Sequence, residues 1–246
     1  MRALAVSLWC LGLHHVASGF VVRGQGASYR ARTRVSAEGS LVDIKEEELQ
    51  LRARLRELER LKTETLARQR LRIGIVGFGN FGQFLANAFS GSHDVSAMSR
   101  SKRHHATASA MGLSSYFTFD DAAGFFAQPL DVVVFAVSIV SFESTIARLR
   151  EPLAASTSAP LLVDVLSVKE HPQTTLLAQA PAHMSILCTH PMFGPESGRF
   201  GWQDLPLVYD RVRLFDEHTD VCERFLSVFE QAGCKMVDMP CSKHDE

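Results

Sequence analysis

Two short strings hold the residues best able to do chemistry: IGIVGFGNFGQFLANAF (residues 73 to 89) and CTHPMFGPESG (188 to 198). The first carries a G-x-G-x-x-G turn, Gly77, Gly79 and Gly82 with Asn80 and Phe81 between them, at the end of an apolar run. In such a turn the first glycine permits the tight bend, the second lets the backbone approach a pyrophosphate, and the third lets the following helix pack closely on its sheet. The anion then faces the unpaired N–H groups of the helix start. An ordinary tight strand-to-helix turn uses the same glycines, so the motif alone is weak evidence. A strand before it, a helix after it and a βαβ unit around it favour a dinucleotide. The end of the second apolar run reads MSRSKRHH. A carboxylate there would hold the ribose 2′-hydroxyl of NAD. Instead Ser99, Arg100 and Ser101 offer hydroxyls and a guanidinium to a 2′-phosphate, so NADP is the expected cofactor. Lys102, Arg103, His104 and His105 fit a solvated basic helix start equally well. In the second string His190 closes an apolar strand and opens a loop of Pro191, Gly194, Pro195 and Gly198. An imidazole there can accept a proton near neutral pH. Taken alone, a histidine at a strand end is more often a hydrogen-bonded structural residue.

The elements that must position these residues follow from hydrophobic patterning. From Leu71 onward short apolar runs alternate with helical patterns: LRIGIVG then 80 to 90, HDVSAMS then 102 to 112, SSYFTF then 120 to 127. DVVVFAVS then 141 to 155, PLLVDVLS then 168 to 180, and MSILCTH continue the series. Strands separated by helices call for right-handed crossovers and a parallel sheet. The fold class is therefore α/β, a doubly wound Rossmann-type domain over residues 71 to 246, with ligands at the carboxyl ends of the strands. Ser138, in AVSIV at the end of the fourth run, is placed to touch the cofactor through its backbone or to cap the next helix, a role Ser141 fits as well. Lys169 and Glu196 can reach a substrate, but charges at a helix start or in a polar loop are usually solvated. Trp202 and Tyr209 are expected to pack a late hairpin or strand.

The rest of the 246 residues is organised differently. Residues 1 to 70 carry a net charge of +5 and residues 71 to 246 one of −6, and an acidic globule argues against a nucleic-acid-binding core. No Asp or Glu precedes Glu38, and ALAVSLWCLGL after Arg2 is too short to span a bilayer. ASGF and then Arg23, Arg30, Arg32 and Arg34 follow. Residues 1 to 40 thus read as a bipartite targeting presequence, whose junction resembles the import signal of secondary plastids. Cys10 lies within it, and Cys188, Cys222, Cys234 and Cys241 are scattered with no C-x-x-C pair and no zinc-ligand spacing. That usage fits a reducing compartment, so the plastid stroma is expected over secretion, with no membrane association in the mature form. Residues 41 to 70 are charged, with Ile44, Leu51, Leu55 and Leu58 at helical spacing, and read as a linker helix.

IGIVGFGNFGQFLA, DVLSVKEHP, CTHPMFGPESG and GWQDLPLVYDRVR, in this order and spacing over residues 71 to 245, resemble the plant-type arogenate dehydrogenases of the prephenate/arogenate dehydrogenase family of tyrosine biosynthesis. The resemblance implies an NADP-binding α/β domain followed by an all-helical domain that forms a homodimer. It implies oxidative decarboxylation of arogenate or prephenate, without a metal. His190 matches the family histidine that takes the ring hydroxyl's proton as hydride leaves, and Ser167 matches the serine bonded to both. The sequence departs from the family at PCSKHDE, where His244 and Asp245 match the opening of the interdomain helix. The helical domain, with its dimer interface and the arginine that grips the ring carboxylate, is expected to follow there and is not in the sequence. On that expectation the 246-residue product binds NADP but turns over little and exposes apolar surface. A non-catalytic NADP-binding remnant is the alternative reading. A third class, such as an imine reductase or β-hydroxyacid dehydrogenase, is disfavoured by the HPMFGPESG loop.

Overall fold

The computed structural model describes residues 41 to 67 and 70 to 246; the expected presequence lies outside the described residues. The first element, α1 (Leu41–Ala67), is a single charged helix. Its leucine stripe is solvent-exposed, Leu51 at 64%.

The remaining elements form one eight-stranded sheet with helices against it, in the order β3-β2-β1-β4-β5-β6-β7-β8. The strands are β1 (Arg72–Val76), β2 (Asp94–Ser99), β3 (Ser115–Thr118), β4 (Val132–Phe135), β5 (Leu161–Asp164), β6 (Ile186–Pro191), β7 (Pro206–Arg213) and β8 (Lys235–Asp238). The helices after α1 are α2 (Asn80–Ser90), α3 (His105–Ala110), α4 (Ala122–Phe126), α5 (Ile139–Ala154), α6 (Glu170–Gln179), α7 (Thr219–Gln231) and α8 (Cys241–His244). VVVF in β4 and LLVD in β5 are buried at every position, as strands covered on both faces must be. Alternate side chains feed two cores. Ile73, Ile75, Val132 and Val134 join Phe89, Phe225 and Phe229 on one face, whereas Val76, Val133 and Phe135 join Phe125, Phe142 and Leu176 on the other.

Strands β1 to β6 pair in parallel, and β1 lies between β2 and β4, so the strand order reverses beside it. That reversal opens a crevice at the carboxyl ends. The parallel sheet expected from the alternation is present in β1 to β6, and β7 then runs antiparallel to β6 with His190 opposite Val208. The cause lies in MFGPESGRFGWQDL (192 to 205), where Gly194, Pro195, Gly198 and Gly201 rule out the crossover helix that a parallel return requires. Three local readings also change. The helix expected over 102 to 112 breaks into a 3₁₀ turn (Lys102–His104) and the short α3. β4 ends at Phe135, so Ser138 is the residue flanking α5 rather than the end of a strand. Trp202 lies in a loop, stacked on Phe229 at 5.3 Å, and only Tyr209 is on a strand.

Candidate functional site

The glycine turn joins β1 to α2. Gly77 has φ +101°, and a Cβ there would meet the Ala136 carbonyl oxygen at 2.5 Å. A Cβ at Gly82 would fall 2.0 Å from the Gly77 carbonyl oxygen, so the helix can lie this close to the turn only without a side chain. Gly79 differs: a Cβ there would meet nothing within 4 Å. It flanks the first turn of α2, which has no side-chain cap and no acidic residue, and the first backbone bond into Gly79 comes from Gln83 N–H at 2.9 Å. The N–H groups before Gln83 therefore point out of the helix end unpaired by it, as an anion cradle needs.

The cradle opens on a cavity of about 460 Å³ lined by Gly77, Gly79, Ser99, Arg100, Ser101 and Ser138, with Phe119 and Thr145 beyond. Arg100 is exposed at the rim and forms no ion pair among the described residues. Of the four basic residues that follow, Arg103 and His104 also line the cavity, and Lys102 and His105 do not. His104 accepts from Arg103 Nε at 2.8 Å and lies beside Phe78. Phe78 and His104 are lining residues that the glycine and 2′-phosphate patterns did not reveal. Asn80 is exposed in the first turn of α2, and Phe81 lines a second, adjoining cavity.

That second cavity, about 300 Å³, shares the wall Ala136, Val137 and Ser138 with the first. Its other walls include Phe81, Ser167, His190 and Phe193. The two strings that carried the candidate chemistry thus meet at one wall. Ser138 lies on both sides of it, its hydroxyl 2.9 Å from that of Ser141. Ser167 shares the cavity with His190, but no hydrogen bond joins them; the imidazole is held elsewhere.

His190 Nδ1 lies 2.8 Å from His244 Nε2, and His244 Nδ1 lies 2.7 Å from Asp245 Oδ1. Asp245 in turn accepts the N–H of Lys169 at 2.8 and 2.9 Å and of Glu170 at 2.9 Å, capping α6 from a distant part of the chain. Burial works against ionisation of Asp245, but the bonds from Glu170, His244 and Lys169 outweigh it and hold its carboxyl below the usual range. Burial pushes the His190 imidazole down to about 4, with His244 and Lys169 adding to the effect and Asp245 opposing it.

Behind His190 lies a buried ion pair. Lys169, 1% exposed, donates to Asp164 Oδ1 and, at 2.6 Å, to the Thr189 carbonyl; Thr189 Oγ1 donates to the Asp164 carbonyl at 2.7 Å. Burial pushes the Asp164 carboxyl up, and the Lys169 charge opposes it. Lys169 is therefore neither solvated nor in reach of a ligand, contrary to both readings of its sequence position. It braces the strand ends on which His190 stands. Glu196 is exposed and pairs loosely with Arg199 at 3.7 Å.

Residues 85 to 222 match the family model described as prephenate dehydrogenase, nucleotide-binding domain. The chain is 44% identical over 188 residues to arogenate dehydrogenase 2, chloroplastic, of Arabidopsis thaliana, covering 75% of this chain and 51% of that protein. Identity to arogenate dehydrogenase 1, chloroplastic, of the same plant is also 44%, over 179 residues, covering 72% of this chain and 27% of that one. The chain thus spans about half the length, or less, of these relatives. Among solved structures, prephenate dehydrogenase from A. aeolicus in complex with hydroxyphenyl propionate and NAD+ superposes with a TM-score of 0.56 at 17% identity, over 72% of this chain and 62% of that one. That likeness bears on the fold.

Proposed function

This chain belongs to the prephenate dehydrogenase family, and from that premise we propose that it carries the nucleotide-binding and proton-accepting half of an NADP-dependent arogenate or prephenate dehydrogenase. The observation that carries the reading is the common wall, Ala136 to Ser138, between the glycine cradle and the His190 cavity. Gly77, Gly79 and the α2 amine end would hold the pyrophosphate, and Ser99, Arg100 and Ser101 the 2′-phosphate. The open space at Gly79 and the uncommitted Arg100 guanidinium suit that ligand. A bound nicotinamide supplies the hydride acceptor. Removing hydride from a carbinol carbon obliges the hydroxyl proton to leave for a nearby base, and His190, half-buried in the adjoining cavity, is that base. Ser167 would orient the hydroxyl. Loss of CO₂ from the resulting ring ketone restores aromaticity, so the chemistry calls on no metal.

Residues 1 to 40 are assigned as the presequence, 41 to 70 as the linker helix and 71 to 246 as the nucleotide-binding domain. Both Arabidopsis relatives are named chloroplastic, which supports a plastid stromal location. The four described cysteines are buried free thiols, in keeping with a reducing compartment. Among the described residues no helix is long and apolar enough to cross a membrane. Dimerisation through a helical domain, as the family resemblance implies, belongs to the same proposal.

The test has two arms. Calorimetry on the chain should show tighter binding of NADP than of NAD; equal affinities would remove the cofactor assignment. In a fusion to the remaining length of arogenate dehydrogenase 2, arogenate-dependent formation of reduced cofactor should fall about 10²-fold or more in His190→Asn, with NADP binding kept. Parent-like turnover in that variant would remove the base.

A further inference from the structure

We infer that His190, His244 and Asp245 form a proton relay in which Asp245 fixes the tautomer of His244, His244 fixes that of His190, and the proton taken at His190 Nε2 is passed on to His244. The tautomers follow from donor and acceptor counting. The Asp245 carboxylate already accepts two backbone N–H groups at the α6 start, and a carboxylate has only acceptors to offer. Its 2.7 Å contact with His244 Nδ1 therefore requires a proton on that nitrogen. With His244 neutral, its Nε2 carries a lone pair, and the 2.8 Å contact to His190 Nδ1 requires the proton to sit on His190. His190 Nε2 is then the bare nitrogen, and it is the ring nitrogen with no hydrogen-bond partner among the described residues, in a side chain that lines the second cavity.

The relay answers a difficulty in the proposed reaction, on which its direction rests. Lys169 stands behind His190, beside Asp164, and its charge opposes an imidazolium there. His244 has the carboxylate in direct contact. When a substrate hydroxyl gives its proton to His190 Nε2, the Nδ1 proton can cross the 2.8 Å bond to His244 Nε2. His190 ends neutral with its proton on Nε2, and the positive charge rests on His244 against Asp245. After CO₂ leaves, the reverse passage returns the proton to the aryl oxygen, so protons balance over the cycle. His244 is thus a positioning residue that also takes the charge.

The tautomers can be read directly, without turnover, from the imidazole nitrogens of the chain labelled with nitrogen-15 histidine. His190→Gln and His244→Gln assign the signals. At neutral pH both rings should carry the proton on Nδ1, and on acidification the first imidazolium of the pair should form at His244. In Asp245→Asn the amide oxygen takes the backbone N–H groups and its NH₂ faces His244, so both tautomers should invert and His190 should carry its proton on Nε2. In the fusion, that variant should then lose turnover about as severely as His190→Asn while binding NADP normally. A proton on His190 Nε2 in the unaltered chain, or a first imidazolium at His190, would overturn the relay. Such a result leaves the dehydrogenase reading standing, just as correct tautomers without arogenate turnover would remove that reading alone.

Discussion

The two cavities meet at Ala136 to Ser138 but are built on opposite terms. On the glycine side the protein contributes mainly by omission: no side chain at Gly79, no side-chain cap on α2 and, among the described residues, no ion partner for Arg100. Its donors are left for something else to satisfy. On the His190 side almost every polar group already has a protein partner, in two chains of bonds running through Asp164, Lys169 and Thr189 and through Asp245 and His244. Among the described residues, the Asp164 Oδ2 atom is the buried side-chain exception. On the proposed reading one side is completed by a ligand; the other completes itself and leaves one nitrogen over. The first should therefore tolerate substitution in stability and fail in binding, and the second should fail in stability first.

The largest effect is expected at the buried pair. Lys169→Met leaves Asp164 as an unpaired buried carboxylate and should cost about 3 to 5 kcal/mol in urea unfolding. Adding Asp164→Asn should recover much of that loss, since the uncompensated charge, rather than the missing bond, dominates. A loss under about 1 kcal/mol in the single variant would show that the His190 side is not self-supporting in the way described.

Within the glycine turn the same contrast can be sharpened between neighbours. Gly82→Ala drives a Cβ into the Gly77 carbonyl oxygen and should destabilise by about 1 to 3 kcal/mol as the helix is pushed off the sheet. Gly79→Ser should leave stability unchanged or slightly raised, because serine caps a helix at least as well as glycine. Its side chain nevertheless enters the open space at the helix end, so dinucleotide binding should weaken in calorimetry. If both variants lose stability equally, the space at Gly79 is not reserved for a ligand.

The two sides were also unequally legible. The glycine turn, the strand-and-helix alternation and the basic tip after β2 are local patterns, each set by a few consecutive residues, and the order of elements follows them even where, as at 102 to 112, a helix is shorter than its pattern. His190 could be singled out because it ends an apolar run. Its partner could not: His244 is 54 positions away, and long-range pairing leaves no periodic trace. Lys169 reads as a solvated helix start because its burial depends on β5 and β6 folding over it. The reversal at β7 is legible in Gly194, Pro195, Gly198 and Gly201, whose helix-breaking character leaves no crossover helix between β6 and β7.

Acid should act on the His190 side before the glycine side. With its folded pKa lowered to about 4, His190 binds fewer protons folded than unfolded between about 4 and 6.5. Stability from this source is therefore complete above about 6.5 and lost as pH falls toward 4. Burial lowers the His93 pKa as well, which adds a slope of the same sign. His190→Asn should flatten the pH dependence of the urea midpoint over that window without abolishing it. An unchanged slope would mean that the His190 environment does not oppose its charge.

The smallest effect on stability is expected at Arg100, and it isolates what the glycine side is for. The side chain is exposed and makes no ion pair among the described residues, so Arg100→Ala should change the unfolding free energy by no more than about 0.5 kcal/mol. If the guanidinium meets a 2′-phosphate, the same change removes a charge-assisted bond worth roughly 1.5 to 3 kcal/mol of NADP binding. NAD, which lacks that phosphate, should bind the variant as it binds the parent. The preference, rather than the overall affinity, is then what Arg100 supplies, and the ratio of the two dissociation constants in parent and variant measures it with folding held fixed. A loss shared equally by NAD and NADP would place Arg100 on a part common to both cofactors and leave the choice between them to other polar residues lining the cavity, such as Ser99, Ser101 or Arg103.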